Sequence, residues 1–131
     1  MTHTRTHHYS GSPIYNKAIE ILVLSRNIAT YLVDDFTSNA RDYEEHPGIY
    51  FSGDIIQQSN SLAPEILKAE SIPFQEDRKK HIASVEKLTK SLTKNCERLE
   101  KFPSNGRDFL PILRKELKKF RKLQRIWIMT L

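Results

Sequence analysis

The segment LPILRKELKKFRKLQRIWIMTL, residues 110–131, indicates the fold of this chain more clearly than any other stretch. Its apolar side chains recur at three- and four-residue steps, which places them on one face of an α-helix. These side chains belong to Leu110, Leu113, Leu117, Phe120 and Trp127. A helix with a single apolar stripe must bury that stripe against other elements, so the segment predicts a helical domain.

Three upstream segments carry the same periodicity. The first helix is predicted to start at Ser12-Pro13, an N-cap followed by proline at the first helical position, and to end within residues 33–36. The second helix is predicted over residues 52–70, where Pro64 should bend or split it. The third is predicted over residues 74–102.

Polar segments join the predicted helices. Pro47-Gly48 and residues 103–106 are expected to form turns, and Asp108 is expected as a cap or first-turn acid of the fourth helix. Four amphipathic helices with short corners predict an all-α fold, an antiparallel up-down-up-down four-helix bundle. We expect a single domain of residues 13–131 after a disordered leader at residues 1–12.

Composition indicates the cellular setting. The chain has no apolar run near the roughly 20 residues that span a bilayer, and its start lacks the apolar centre of a signal peptide. The single cysteine, Cys96, cannot form an internal disulfide, and we expect it to be a small core residue rather than a reactive thiol. These features predict a cytoplasmic protein without a membrane partner.

No motif in the sequence predicts catalysis. It contains no glycine-rich phosphate loop, no cysteine pair at metal-ligand spacing and no Glu-x-x-His pair of the kind that di-iron bundles use. The acid doublets Asp34-Asp35 and Glu44-Glu45 are expected to be solvated loop charges. We therefore expect a protein that is not an enzyme and needs no cofactor.

The histidines offer the main alternative chemistry. His3, His7 and His8 would allow a metal cluster, although a flexible leader is the expectation for that segment. His81 follows Asp77 by four residues, so the two are expected to form a helix-surface ion pair rather than a site.

Positive charge is concentrated at the C-terminal end. Residues 107–131 contain eight Lys and Arg against two acids, a net charge of +6, whereas the whole chain has +5. At 100° per residue, the cations of one row fall within about 60° of one another around the axis of the predicted fourth helix. That row comprises Arg114, Lys118, Arg121 and Arg125. A second row beside it comprises Lys115, Lys119 and Lys122.

A basic helix face with almost no interspersed acid is an electrostatic footprint for a polyanion. Glu116 is expected toward the apolar side of the helix, away from both rows. We predict that the two rows bind RNA or DNA phosphates, with strong salt dependence and weak sequence preference. No aromatic row accompanies the cations, which argues against base stacking as the main mode of binding. The alternative is an ordinary solvated helix face.

The C-terminal end also has more apolar surface than one buried stripe requires. The surplus lies at residues 126–129 and at Leu131. It would either cap the core or contact a neighbouring subunit, and we expect the subunit contact because exposed Trp and Met are enriched at interfaces.

Residues 55–70 carry a family resemblance. Ile55 is followed by Gln57-Gln58-Ser59, and residues 62–70 read Leu-Ala-Pro-Glu-Ile-Leu-Lys-Ala-Glu, with a mid-helix proline and an Ile-x-x-Ala-Glu ending. Further matching positions are Tyr15, Lys17, Ala18, Ala83, Ser84 and residues 86–92. Over residues 13–102 the chain resembles the four-helix-bundle proteins encoded by intervening sequences in large ribosomal RNA genes. This family includes the accessory variability determinant of diversity-generating retroelements.

The resemblance implies a closed homo-oligomer, typically a pentamer that forms a basic-surfaced barrel. It also implies nucleic-acid binding and, in the retroelement branch, assistance to a reverse transcriptase. Many relatives have two basic residues where this chain has Gln57-Gln58, and glycine where it has Ser71. We therefore expect the charge used for binding to have moved to the fourth helix.

Three functions remain open from the sequence. The first is an oligomeric, non-enzymatic accessory protein that binds RNA or DNA through the fourth helix. The second is a protein-interaction module whose basic face docks an acidic partner such as a polymerase. The third is a bundle enzyme or metal carrier that uses the histidines.

Overall fold

The structure, a computed structural model, describes residues 12–39 and 46–131, of which 91% are helical. In these ranges the chain forms four α-helices and no strand, so the predicted all-α fold is confirmed. The helices are α1 (Pro13–Asn39), α2 (Pro47–Ser71), α3 (Gln75–Glu100) and α4 (Leu110–Thr130), with a 3-10 helix (Asn105–Phe109) before α4. Each helix packs against the next along the chain, and α4 packs against α1.

Some predictions fall outside the described residues. These are the predictions for residues 1–11, for His3, His7 and His8, and for Glu44-Glu45. Across residues 12–39 and 46–131, no helix combines the length and apolar content needed to cross a bilayer.

The start of α1 agrees with its prediction. The Ser12 hydroxyl accepts a hydrogen bond from the Tyr15 backbone N–H at 3.5 Å, and Pro13 occupies the first helical position. The helix continues to Asn39, beyond the predicted end, and its buried face includes Leu32 and Phe36.

Pro47-Gly48 begins α2, so the prediction of a turn there was wrong. Pro47 needs no hydrogen-bond partner at the first helical position. The His46 imidazole caps the helix, because its Nδ1 accepts a hydrogen bond from the Gly48 N–H at 2.9 Å. The His46 ring also stacks on Phe36 of α1, with 4.3 Å between ring centroids. The helix therefore starts ahead of residue 52.

Pro64 lies within α2 and does not split it. The proline is exposed, whereas Leu62, Ala63 and Ile66 on either side of it are buried in the core. Its missing N–H removes only the helix bond to the Asn60 carbonyl. Core packing on both sides of the proline therefore maintains a single helix.

Polar side chains lie in the core and pair between helices. The Ser25 hydroxyl of α1 is 2.7 Å from the Ser59 hydroxyl of α2, and both residues are buried. The Thr89 hydroxyl of α3 donates to Gln124 Oε1 of α4 at 3.1 Å. Buried polar groups of this kind require partners, and these are satisfied across the helix contacts.

The corner before α4 is held by a residue of α1. Asp35 is half-buried, and its carboxylate accepts hydrogen bonds from the Gly106 N–H at 3.0 Å and from Asn105 Nδ2 at 3.2 Å. The prediction of solvated loop charge at Asp34-Asp35 was therefore wrong for Asp35. Asp108, predicted as a cap or first-turn acid of α4, is exposed in the 3-10 helix before it, and the cap position of α4 is held by Phe109 without a side-chain bond.

The C-terminal end of α4 closes one end of the bundle. Trp127 is 7% exposed, and its indole Nε1–H donates to Glu70 Oε2 of α2 at 3.1 Å, so this residue belongs to the core. Ile126 and Met129 remain exposed, at 61% and 85%. The apolar surplus is therefore divided between the core and the surface.

Candidate nucleic-acid interface

The fourth helix separates its apolar and basic residues onto different sides. The predicted stripe is buried, with Gln124 as an additional buried member. Most of the predicted basic residues are exposed on the remaining surface: Lys115, Lys118, Lys119, Arg121, Lys122 and Arg125. Arg114 is half-buried beside α3. The structure thus brings all seven predicted site residues onto one side of one helix.

Arg114 is paired with the last residue of α3. Its Nη2 donates to Glu100 Oε1 at 2.9 Å, and its Nε donates to Glu100 Oε2. This fork-to-fork bond raises the pKa of the Arg114 guanidinium and fixes its plane. Arg114 is therefore committed to a carboxylate, which its predicted role as a free phosphate ligand did not include.

Glu116 neutralises part of the second row. Its carboxylate lies 3.1 Å from Lys119 Nζ and accepts a bond from Lys17 Nζ of α1 at 2.9 Å. These two ammonium groups lower the pKa of Glu116, Lys17 first and Lys119 second. Lys17 Nζ also lies 2.8 Å from Glu20 Oε2, so the connected group of two lysines and two glutamates has no net charge.

Five cations of α4 have no ion pair among the residues that the structure describes. These are Lys115, Lys118, Arg121, Lys122 and Arg125. Because all five are exposed, their charges act directly on solvent and on any ligand in it. An uncompensated group of this size raises the local concentration of anions.

A groove between α3 and α4 collects part of this charge. Its volume is about 300 Å³, and its walls are formed by Thr93, Pro111, Arg114, Lys115, Lys118 and Arg121. The Thr93 hydroxyl donates to the Thr89 carbonyl at 3.0 Å, so it is not a free donor for a ligand. The hydrogen-bond donors that face the groove are therefore supplied by the basic side chains.

The charge along the groove is uneven. Glu100 pairs with Arg114 at one end, and Glu97 also acts on the Arg114 charge. Lys118 and Arg121 lie one and two helical turns further along α4, where they are free of ion pairs within the described chain. The strongest position for an anion therefore lies beside Lys118 and Arg121 rather than beside Arg114.

Sequence reasoning missed the carboxylates that limit the site. Glu100 reaches Arg114 because it ends α3, and a short connection brings the start of α4 next to it. The short separation of these two residues in the sequence was the one signal that could have predicted their contact. Glu116 was expected toward the apolar side and is half-buried, but its pairing with Lys17 of α1 was not predicted. Both contacts depend on the relative positions of neighbouring helices. The periodicity of residues within one helix does not predict those positions.

His81 has a different partner from the one predicted. Its Nδ1 lies 2.5 Å from Glu65 Oε2 of α2, so the expected pairing with Asp77 was wrong. The side chain turns toward α2 because that helix packs along α3. Within residues 12–39 and 46–131, no group of three or more His, Cys, Asp or Glu is arranged to hold a metal ion.

Cys96 is fully buried, as its position on the apolar side indicated. Burial raises the pKa of its thiol to about 12, with a smaller contribution from the Glu100 charge. At neutral pH the thiolate, which is the reactive form, is therefore almost absent.

The chain matches none of the protein-family models, curated proteins or solved structures with which it was compared.

Proposed function

We propose that this protein is a non-enzymatic accessory protein that binds the phosphate backbone of RNA or DNA through α4. The observation that carries the proposal is the group of five exposed cations on α4 without ion pairs in the described chain. Phosphate contacts of this kind position a nucleic acid without reading its sequence. We therefore expect binding to many sequences, with an affinity that falls steeply with salt.

We also infer that the four helices alternate in direction, as an antiparallel up-down-up-down bundle. Three contacts along α3 and α4 support this: Glu100 meets Arg114, Thr89 meets Gln124, and Arg78 meets the main-chain oxygen of Leu131. From the first contact to the third, the residue numbers of α3 fall while those of α4 rise, as expected for two antiparallel helices. In this arrangement the basic rows form a continuous strip along one corner of the bundle.

Charge reversal at Lys118, Arg121 and Arg125 should abolish binding to random-sequence RNA and duplex DNA. Replacing all three with Glu changes the net charge by −6, from +5 to −1, and places three carboxylates along the strip. Arg114 is left unchanged because its substitution would also break the bond to Glu100. Binding would be measured by fluorescence anisotropy over a series of salt concentrations.

A matched control reverses Lys80, Lys87 and Lys94, which are exposed on α3 and have no ion pair within the described ranges. This triple variant has the same net charge of −1 as the first. It should retain most of the binding if the α4 strip is the site. Equal loss of affinity in both triple variants, each shown to be folded by circular dichroism, would attribute binding to net charge alone.

The salt dependence gives the number of phosphates contacted. If all five free cations of α4 contact phosphates, the logarithm of the affinity should fall with the logarithm of salt with a slope of about −4.5 on duplex DNA. On single strands the slope should be about −3.5. A slope near zero would show that the strip does not bind phosphates.

The family resemblance adds two proposals: assembly as a homo-oligomer, pentameric by that resemblance, and assistance to a reverse transcriptase. The accessory role predicts that a reverse-transcriptase gene lies close to the gene for this chain. Co-purification of the two proteins with RNA, and its loss in the Lys118, Arg121 and Arg125 triple variant, would test it.

A second candidate function is the docking of an acidic protein. A groove of about 470 Å³ near the C-terminal end of α4 favours it, because apolar and charged side chains share its walls. The apolar side chains include Ile82, Ile128 and Met129, and the charged ones are Arg78, Lys79 and Glu86. Poly-glutamate should compete with RNA if both bind the basic residues of α4. The affinity for a folded acidic partner should in addition depend on Met129 in the C-terminal groove. Retention of RNA binding by Met129→Ser would separate the two functions.

A further inference from the structure

Asn105 and Gly106 form the one Asn-Gly pair in the sequence. In such a pair the backbone nitrogen of the glycine can attack the side-chain Cγ of the asparagine. A C–N bond forms, the bond from Cγ to the amide nitrogen breaks, ammonia leaves, and a cyclic succinimide results. Water then opens the ring to aspartate or isoaspartate. Glycine favours the first step because it has no side chain to hinder the approach and its backbone rotates freely.

In this protein both reacting groups are bound by the same carboxylate. The attacking nitrogen, that of Gly106, donates its hydrogen to Asp35 Oδ2 at 3.0 Å. The leaving nitrogen, Asn105 Nδ2, donates to Asp35 Oδ1 at 3.2 Å. Asp35 therefore restrains both the Asn105 side chain and the Gly106 backbone nitrogen against the rotations that ring closure requires.

The surroundings also restrict backbone rotation. Gly106 is buried, and a Cβ added to it would lie 3.2 Å from atoms of both Tyr31 and Leu32. The pair belongs to the 3-10 helix Asn105–Phe109, and ring closure requires the Asn105 backbone to rotate out of that helical conformation. The Asn105 side chain itself is exposed, so water can reach it whenever the contact opens.

We propose that Asn105-Gly106 is a site of spontaneous deamidation that Asp35 keeps in an unreactive conformation. The product would be incompatible with the present contact. Conversion removes the Nδ2 donor and places a second carboxylate beside that of Asp35, and two like charges at that distance repel. The 3-10 helix leads directly into α4, so each converted molecule loses one of the hydrogen bonds that tie α1 to the segment before the basic helix.

The test compares wild-type full-length protein with Asp35→Ala and with Asp34→Ala, the exposed neighbour on α1. Each protein is incubated at mildly alkaline pH, and peptide mapping by mass spectrometry quantifies conversion at residue 105. We expect severalfold faster conversion in Asp35→Ala and an unchanged rate in Asp34→Ala. Equal rates in all three proteins, or slower conversion in Asp35→Ala, would overturn the proposal.

Asn60-Ser61 provides an internal reference, because Asn60 is exposed on α2, away from this corner. Faster conversion at Asn105 alone supports a local role for Asp35. Equal acceleration at both asparagines would show that the variant acts through general unfolding, which contradicts that role. A second comparison uses wild-type protein in urea. Conversion at Asn105 should be faster there than in the folded chain, and an equal rate would refute the protective role of the fold.

Discussion

Glu100 determines how much of the basic strip is available to a ligand. Its carboxylate engages two nitrogens of Arg114, so this cation contributes less to an external anion than its position on α4 indicates. Arg114 is 41% exposed, and an ion pair this accessible adds little to the stability of the fold. The effect of Glu100 on binding should therefore exceed its effect on folding.

Glu100→Gln should strengthen binding to duplex DNA and steepen its salt dependence. The variant frees Arg114 and removes a negative charge from the end of the groove, so one more phosphate can be contacted. We expect the magnitude of the salt slope to increase by about 0.9. Anisotropy titrations at several salt concentrations would measure this. Asp34→Asn on α1 alters net charge by the same amount, and an equal gain in that variant would contradict the explanation.

Glu116 should make the stability of the protein depend on acid pH. Lys17 and Lys119 lower its pKa in the folded state, so in acid the unfolded chain binds more protons at this position. Its contribution is present above the ordinary glutamate pKa of about 4.3 and is lost as pH falls through the lower folded-state pKa. We expect less than about 1 kcal/mol, as is usual for partly exposed pairs.

The measurement compares urea unfolding of the wild type and Glu116→Gln from neutral to acid pH. The wild type should be more stable near neutrality, and the difference should decrease as the solution is acidified. A difference that remains constant over this range would contradict a role for the Glu116 charge.

At the scale of the element, the two glycines of α2 should respond to alanine in opposite directions. A Cβ at Gly48 would overlap the ring of Phe36, whereas a Cβ at Gly53 meets nothing within 4 Å. Gly48→Ala should destabilise the fold by about 1–3 kcal/mol through overpacking. Gly53→Ala should stabilise it by up to about 1 kcal/mol, because alanine is the better helix former.

Both free energies can be read from urea unfolding curves. Since the same substitution is made twice in one helix, intrinsic helix propensity is common to both variants. Stabilisation by Gly48→Ala would mean that Phe36 moves aside and that the start of α2 is loosely packed.

Helix positions were predictable where the signal lies within one segment. The apolar stripe of α4 and the N-cap of α1 were both correct because periodicity and capping depend on residues a few positions apart. The start of α2 was missed because its cap is the imidazole of His46, which is not among the residues that commonly cap helices. The packing of His46 against Phe36 of α1 contributes to that geometry.

The candidate site was predictable in outline but not in detail. Spacing alone placed seven cations on one side of α4. It could not identify the pairing of Glu100 on α3 with Arg114, or that of Glu116 with Lys17 on α1, because in each pair the partners lie on different elements. Contacts between distant parts of the sequence depend on the axial alignment of helices, and a single sequence contains no direct measure of it.

At the scale of the whole molecule, we expect association into a homo-oligomer, as the resemblance implies. Several large apolar side chains are exposed on the outer surface, among them Val23 on α1 and Ile126 on α4. Light scattering should give a mass that is a multiple of the 15.3 kDa of one chain. A mass of one chain at micromolar concentration, where specific complexes are commonly stable, would contradict this prediction.

The buried contact between Ser25 and Ser59 has a consequence for how the bundle can assemble. A shift of α1 along α2 by one helical turn, about 5.4 Å, would leave most apolar surfaces still covered. Ser25 would then oppose an aliphatic residue such as Ile55 or Ala63, and a hydroxyl sealed from water without a counterpart costs about 1–3 kcal/mol. The Ser59 hydroxyl would keep its bond to the Ile55 carbonyl of its own helix, so the penalty falls on Ser25. One buried oxygen atom thus disfavours misaligned assembly, whereas apolar surfaces alone would tolerate several alignments.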